Sequence, residues 1–233
     1  CYPEKRKTSI AAMSGAISPV VPAELRRGNL GSLRALLAGW TRGPVLTALL
    51  DARLEAKNQN TLLTIAARHG QADAVRLLIE SGASVGATTR IGFTALLVAC
   101  QEGQLECVRM LLGARAAVNQ ARDDGVTPLY IACQNGQLEC VRLLLGANAD
   151  ADQAKDDGAT PLYIACEKGQ LECARLLLEA GAAVNQACND GATPLFAACE
   201  DGHLEVAKLL SSYGASRAAT PFGTPEKLAT RRG

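Results

Sequence analysis

The sequence predicts an all-α repeat solenoid, a stack of short helix pairs with hairpin connections, and three observations carry that expectation. The stretch DDGVTPLYIACQNGQLECVRLLLGA beginning at Asp123 returns as DDGATPLYIACEKGQLECARLLLEA from Asp156 and as NDGATPLFAACEDGHLEVAKLLSSY from Asn189. Equivalent threonines stand at Thr94, Thr127, Thr160 and Thr193, 33 residues apart each time, and a fixed period in that range marks stacked supersecondary units. The chain is 48% hydrophobic but only 3% aromatic, so its core must be built from Leu, Ala, Val and Cys, side chains that allow close helix stacking.

Residues 127–159 show why one unit folds. Thr127 supplies an N-cap hydroxyl, and Pro128 takes the first helical position, where its missing N–H costs nothing and its fixed φ is already helical. Leu129, Ala132 and Cys133 fall on one helical face, and Gly136 can adopt the left-handed conformation that closes a helix. Leu138, Val141, Leu144 and Leu145 repeat the spacing in a second helix. Each helix is expected to be eight or nine residues long, below the ~12 to 15 at which isolated helices are even marginal, so stacking is obligatory. From Ala147 to Ala159 the helical period disappears and the Asp157-Gly158 turn signal points to an extended, hairpin-like connection.

The letters T-P-L-Y-x-A-C, N-G-Q-L-E and V-R-L-L-L resemble the ankyrin repeat, whose motif is T-P-L-H-x-A with a period of 33. On this resemblance the units run 61–93, 94–126, 127–159, 160–192 and 193–223. Residues 18–60 hold a degenerate first repeat plus an insertion, placed at 40–50 because Gly28 and Gly70 stand 42 residues apart, nine more than one period. Residues 224–233 open a further repeat that is cut short. Residues 1–17, which begin on Cys1 with Met13 as an ordinary start, are expected to be disordered or non-native.

Two departures from the family pattern stand out. Its histidine is replaced by Thr64, Leu97, Tyr130, Tyr163 and Phe196, so stacked rings or apolar contacts must substitute, and no histidine role is carried across. After the second helix Gly82, Gly181 and Gly214 match the family, but Arg115 and Asn148 stand in the equivalent places. Gly113 and Gly146 are therefore expected to end those helices early.

Charge and composition exclude several functions. Residues 1–60 carry nine Lys/Arg against four Asp/Glu, and residues 61–219 carry twelve against eighteen, so the strong basic surface of a nucleic-acid binder is absent. No window reaches the ~18 uncharged apolar residues of a membrane span. The nine cysteines invite metal or redox chemistry. However, Cys100, Cys133, Cys166 and Cys199 share one repeat position and Cys107, Cys140 and Cys173 another, so packing explains them best. No C-x-x-C occurs and only two histidines exist, His69 and His203, which leaves no zinc-type ligand set and no cofactor. Cys188 lies outside both sets and is the best candidate for an exposed reactive thiol. Asp150-Ala-Asp152 resembles a calcium loop, but Ala154 and Lys155 fill places that require an oxygen ligand and Gly. No nucleophile stands with a base and an orienting group, so no enzyme is visible.

The resemblance implies partner binding along the concave side, at hairpin tips and the exposed ends of the first helices. Transferred position by position, this selects Arg90, Ile91, Phe93, Asp123, Asp124, Asp156, Asp157, Asn189 and Asp190 at the tips. Before the glycines it selects Arg68, His69, Gln101, Glu102, Gln134, Asn135, Glu167, Lys168, Glu200 and Asp201. Ile91 and Phe93 are the apolar anchors, and the acids favour a basic peptide or protein face. The expected function is a non-catalytic interaction module, scaffold or adaptor. Such a protein would be monomeric and intracellular, cytoplasmic or nuclear, since unpaired thiols argue for a reducing compartment. The alternative is a thiol-based redox sensor using exposed cysteines.

Overall fold

The computed structural model describes residues 20–39, 44–51 and 60–217. Expectations for 1–17 and 224–233 lie outside these residues. The described residues form thirteen α-helices, none long and apolar enough to cross a membrane. The chain divides into two compact units, Cys1–Ala117 and Val118–Gly233.

In the first unit α1 (Val20–Arg26) packs on α2 (Gly31–Ala38) and on α4 (Leu62–Arg68). Between α2 and α4 in sequence lies α3 (Pro44–Leu50), with Leu46, Leu49 and Leu50 buried. The pairs α4 with α5 (Ala72–Glu80) and α6 (Ala95–Gln101) with α7 (Leu105–Gly113) stack so that α4 meets α6 and α5 meets α7. The second unit repeats this with α8 (Pro128–Gln134), α9 (Leu138–Gly146), α10 (Pro161–Glu167), α11 (Leu171–Glu179), α12 (Pro194–Glu200) and α13 (Leu204–Ser212). There α8, α10 and α12 form one layer and α9, α11 and α13 the other.

The threonine caps work as the sequence indicates. Thr127, Thr160 and Thr193 each accept, through Oγ1, the N–H three residues on, at 3.1 to 3.2 Å, which satisfies one of the donors left open at a helix start. Thr61 and Thr94 do the same in the first unit. The first helices of these repeats are seven residues long, shorter than expected, because the closing turn begins earlier. In α8 the Gly136 N–H returns to the Cys133 carbonyl and the Gln137 N–H to the Ala132 carbonyl, with Gly136 at φ 66°. A Cβ at Gly136 would also lie 2.4 Å from the Gln170 side chain of the next repeat. The left-handed φ is what calls for glycine here, and the Gln170 side chain would have to move aside for any larger residue.

One expectation fails. Helices α7 and α9 do not end early at Gly113 and Gly146, which are simply their last helical residues; both helices are nine residues long, like α11. Arg115 (φ 62°) and Asn148 (φ 61°) adopt the left-handed conformation instead. The reason lies in the hydrogen bonds. The Arg115 and Ala116 N–H groups close onto Leu112 and Leu111 at 2.9 and 3.0 Å, the pair made at Gly181 and Ala182 onto Leu178 and Leu177. The closing pair outweighs the ~1 to 2 kcal/mol that a side chain costs in this conformation.

Leu129, Ala132 and Cys133 are buried as the helical face requires, and so are Val141 and Leu144; Leu138 and Leu145 are only half-buried at the flanks, and Cys140 completes the buried face. Between repeats the loops are tied by Asx side chains. Asn119 Oδ1 accepts the Asp150 N–H at 3.0 Å, Asp152 Oδ1 the Ala183 N–H at 2.8 Å, and Asn185 Oδ1 the Ser216 N–H at 2.7 Å. Asp51 does the same for Ser84 in the first unit. Asp152 of the calcium-like Asp150-Ala-Asp152 triplet is therefore a loop tie.

Candidate functional site

Each tip of the second unit is a closed hairpin. The Arg122, Lys155 and Cys188 N–H groups donate across it to the Val126, Ala159 and Ala192 carbonyls, each at 2.9 Å. The second residue of each tip pair, always an aspartate, holds this turn through one carboxylate oxygen. Asp124, Asp157 and Asp190 each accept, through Oδ1, the N–H two residues on, at 3.3, 3.1 and 2.9 Å. Asp124 is further paired with Arg122, and Asp157 with Lys155 at 2.5 Å. The hydrogen bond from Arg122 holds the Asp124 carboxyl below the usual carboxylate range, against partial burial. The third hairpin has Cys188 where the others have Arg122 and Lys155, so Asp190 lacks that cation.

The first letter of each pair faces solvent: Asp123, Asp156 and Asn189 are exposed. Neighbouring tips are joined through their backbones, the Asp156 N–H donating to the Asp124 carbonyl at 3.2 Å and the Asn189 N–H to the Asp157 carbonyl at 2.9 Å. Gly158 makes this approach possible, since a Cβ there would stand 2.8 Å from the Asn189 nitrogen, at φ 86°. At the ends of the first helices Gln134 is half-buried and the exposed Asn135 donates through Nδ2 to the Ile131 carbonyl at 2.9 Å. Glu167 pairs with Lys168 at 2.6 Å, and Glu200 and Asp201 are exposed.

Sequence reasoning missed a cavity in this unit. It measures about 390 Å³ and is lined by Tyr130, Gln134, Ile164, Tyr163 and Glu167 from α8 and α10, and by Lys155, Asp157, Ala159, Cys188, Asn189 and Asp190 from the hairpins. Tyr130 and Tyr163 occupy the family's histidine place, and that substitution was the one available signal. Burial first, then neighbouring negative charge that includes Glu167, holds both phenols above the usual tyrosine range.

In the first unit Arg90 and Ile91 are exposed on the hairpin that begins at Thr89, Ile91 at 53%. Phe93 is half-buried; it accepts the Thr89 N–H through its carbonyl at 2.9 Å, and its N–H donates to Thr89 Oγ1 at 3.1 Å. Of the two residues expected to be apolar anchors, Ile91 is the one that projects. Gln101 Nε2 donates to Glu102 at 3.0 Å. Arg68 is half-buried and its carbonyl accepts from Gln104 Nε2 at 3.4 Å. His69 is exposed; partial burial, then Arg26 and Arg68, holds its pKa below the usual histidine range. In the second unit one counterpart of Gln104 is His203, whose Nε2 lies 3.0 Å from the Glu167 carbonyl, a contact that joins two repeats.

The cysteines behave as packing residues with two corrections. All eight described are free thiols, and Cys100, Cys107, Cys133, Cys140, Cys166 and Cys173 are buried. Cys199, expected in the buried set, is half-buried on α12. Cys188 is not the exposed reactive thiol expected of it: it is half-buried, and burial with the nearby Asp190 and Asp157 pushes it up to about 11, against a hydrogen bond with Tyr163. A thiol so shifted is a poor nucleophile at neutral pH, and the redox-sensor reading loses its best residue. Among the described residues no group of three or more His, Cys, Asp or Glu could hold a metal ion.

No curated protein matches the chain. The sequence profile described as ankyrin repeats (3 copies) matches residues 26–122, 86–154, 112–188 and 143–220. Repeats of this kind generally serve as protein–protein interaction modules. With that profile spanning 26–220 over threonine-capped helix pairs joined by hairpins, the chain belongs to the ankyrin repeat family.

Proposed function

We propose that this protein is a non-catalytic scaffold or adaptor whose second unit binds a basic segment of a partner protein along the hairpin tips and the ends of α8, α10 and α12. One observation carries the reading. With Asp124 and Asp157 set aside, since each is spent on both a turn N–H and a cation, the exposed side chains left on this surface are still mostly acids, Asp123, Asp156, Asp190, Glu200 and Asp201, with Lys168 as the exposed cation among the candidate positions. Such a surface steers a basic face towards it and rejects nucleic acid and other anions. In the first unit Arg68, His69, Arg90, Ile91, Phe93, Gln101 and Glu102 form a separate and more basic contact set. The protein acts as a monomer in a reducing intracellular compartment, cytoplasmic or nuclear, where free thiols such as these eight persist.

The test is a variant carrying Asp123→Asn, Asp156→Asn, Asp190→Asn, Glu200→Gln and Asp201→Asn, in which the side-chain amide introduced at position 190 retains an acceptor for the Ala192 N–H. Proteins crosslinked to the wild-type chain in native extract should be lost from the variant, and the peptides crosslinked should be basic. An unchanged set of partners would end this reading.

A further inference from the structure

The cavity between α8, α10 and the two hairpins holds an unusual side chain. Tyr130 is only 5% exposed, yet its hydroxyl makes no hydrogen bond among the described residues. The oxygen is not sealed inside the protein either, because the one fully buried polar side-chain atom without a partner among the described residues is Arg68 Nε. The Tyr130 hydroxyl therefore opens into the cavity that its residue lines. A phenol placed so offers one directional polar contact, as donor or acceptor, to a group that enters the cavity.

The cavity's charges define what that partner can be. Its charged walls are Lys155, Asp157, Glu167 and Asp190, three carboxylates against one ammonium. Lys155 and Asp157 satisfy one another. Asp190 has no cation in its own hairpin, and among the described residues Glu167 pairs only with Lys168; their side chains are 32% and 44% exposed, so an incoming cation can displace the pair. An anion, a phosphorylated residue included, meets two carboxylates that no cavity-wall cation offsets. A volume of about 390 Å³ admits one side chain and no helix.

We propose that this cavity receives a single arginine side chain of the partner, with Glu167 and Asp190 accepting from the guanidinium, the Tyr130 hydroxyl accepting a further N–H, and Tyr163 offering its ring. Arginine fits better than lysine. Its planar fork supplies five donors to acceptors on several walls, it sheds water more easily than an ammonium, and it stacks on aromatic faces. Asn189, at the rim, offers adaptable polar contact to the backbone that brings the arginine. This assignment rests on the basic-partner reading above and names its anchor.

The experiment uses the isotope-labelled full chain and acetyl-Gly-Gly-Arg-Gly-Gly-amide, with the lysine and citrulline peptides alongside, followed by amide chemical shifts. The arginine peptide should saturate shifts at Tyr163, Glu167 and Asn189, and the neutral citrulline peptide should bind about tenfold more weakly. Glu167→Gln should weaken the arginine peptide about tenfold, and Tyr130→Phe, which keeps the ring, by about threefold. Equal binding of arginine and citrulline, indifference to Glu167→Gln in a variant with an otherwise unchanged spectrum, or shifts confined to Asp123 and Asp156, would overturn the pocket and leave the acidic surface standing. No shift with either basic peptide at roughly 10 mM, the range expected of one anchoring side chain, would overturn both.

Discussion

Asn189 is bound to the preceding hairpin twice: its backbone N–H donates to the Asp157 carbonyl at 2.9 Å and its side-chain Nδ2 to the Asp156 carbonyl at 3.0 Å. The second bond is one that aspartate, the residue at the equivalent positions 123 and 156, cannot make. Asn189→Asp therefore removes a donor and sets a carboxylate against a carbonyl. It should lower stability by about 1 kcal/mol, read from urea denaturation. Unchanged stability would show that the side-chain bond contributes nothing.

Arg115 offers a test of the left-handed closure. Arg115→Gly relieves the steric cost of that conformation and returns part of the gain to unfolded-chain entropy, for a net stabilisation of about 0.5 to 1 kcal/mol. Arg142→Gly, in the middle of α9, should instead cost about 1 kcal/mol. Denaturation midpoints moving in the same direction for both variants would contradict the assignment.

Thr160 caps α10 from a site only 1% exposed. Thr160→Val leaves the Tyr163 N–H without its acceptor and should cost about 1 to 2 kcal/mol, while Thr160→Ser should recover most of it. Equal losses in the two variants would mean that the methyl group, and not the cap, matters at this position.

These predictions mark what the sequence makes legible. Period, caps and closing glycines are local, so Thr127, Pro128 and Gly136 announce a helix wherever they stand. Asp124 does not announce itself in this way. Its letter is that of its neighbour Asp123, and only the folded hairpin shows that one carboxylate caps Val126 and binds Arg122 while the other faces water. Arg115 misleads because the conformation of that residue is set by hydrogen bonds to Leu111 and Leu112 and not by its own preference. The cavity was hidden for a similar reason, because Tyr130 and Tyr163 come from one layer and Lys155 and Cys188 from loops 8 to 58 residues away.

Asp124 also sets a pH dependence. Its folded pKa is depressed chiefly by the hydrogen bond from Arg122, so its contribution is present above the ordinary aspartate value and is lost as pH falls through the lower folded one. Between about pH 5 and 3 the wild type should lose stability more steeply than Asp124→Asn, which keeps the oxygen that caps Val126. Parallel pH profiles would remove Asp124 from the acid response.

Thiol reactivity checks the packing account of the cysteines. In a Cys1→Ser variant, which limits the count to the described cysteines, an aromatic disulfide reagent at about pH 8 should find no thiol that reacts at the rate of an unshifted cysteine. Cys188, pushed up to about 11, should react first and slowly. A full equivalent released in the initial burst would restore a reactive thiol.

Hydrogen–deuterium exchange of the full chain with and without its crosslinked partner tests the central claim most directly. Protection should appear at Lys155–Ala159, Cys188–Ala192 and the ends of α8 and α10, and it should vanish when Asp123, Asp156, Asp190, Glu200 and Asp201 are neutralised. Protection confined instead to the opposite layer, around the exposed pairs Glu139 with Arg142 and Glu172 with Arg175, would place the partner on the other side of the helices and contradict the account.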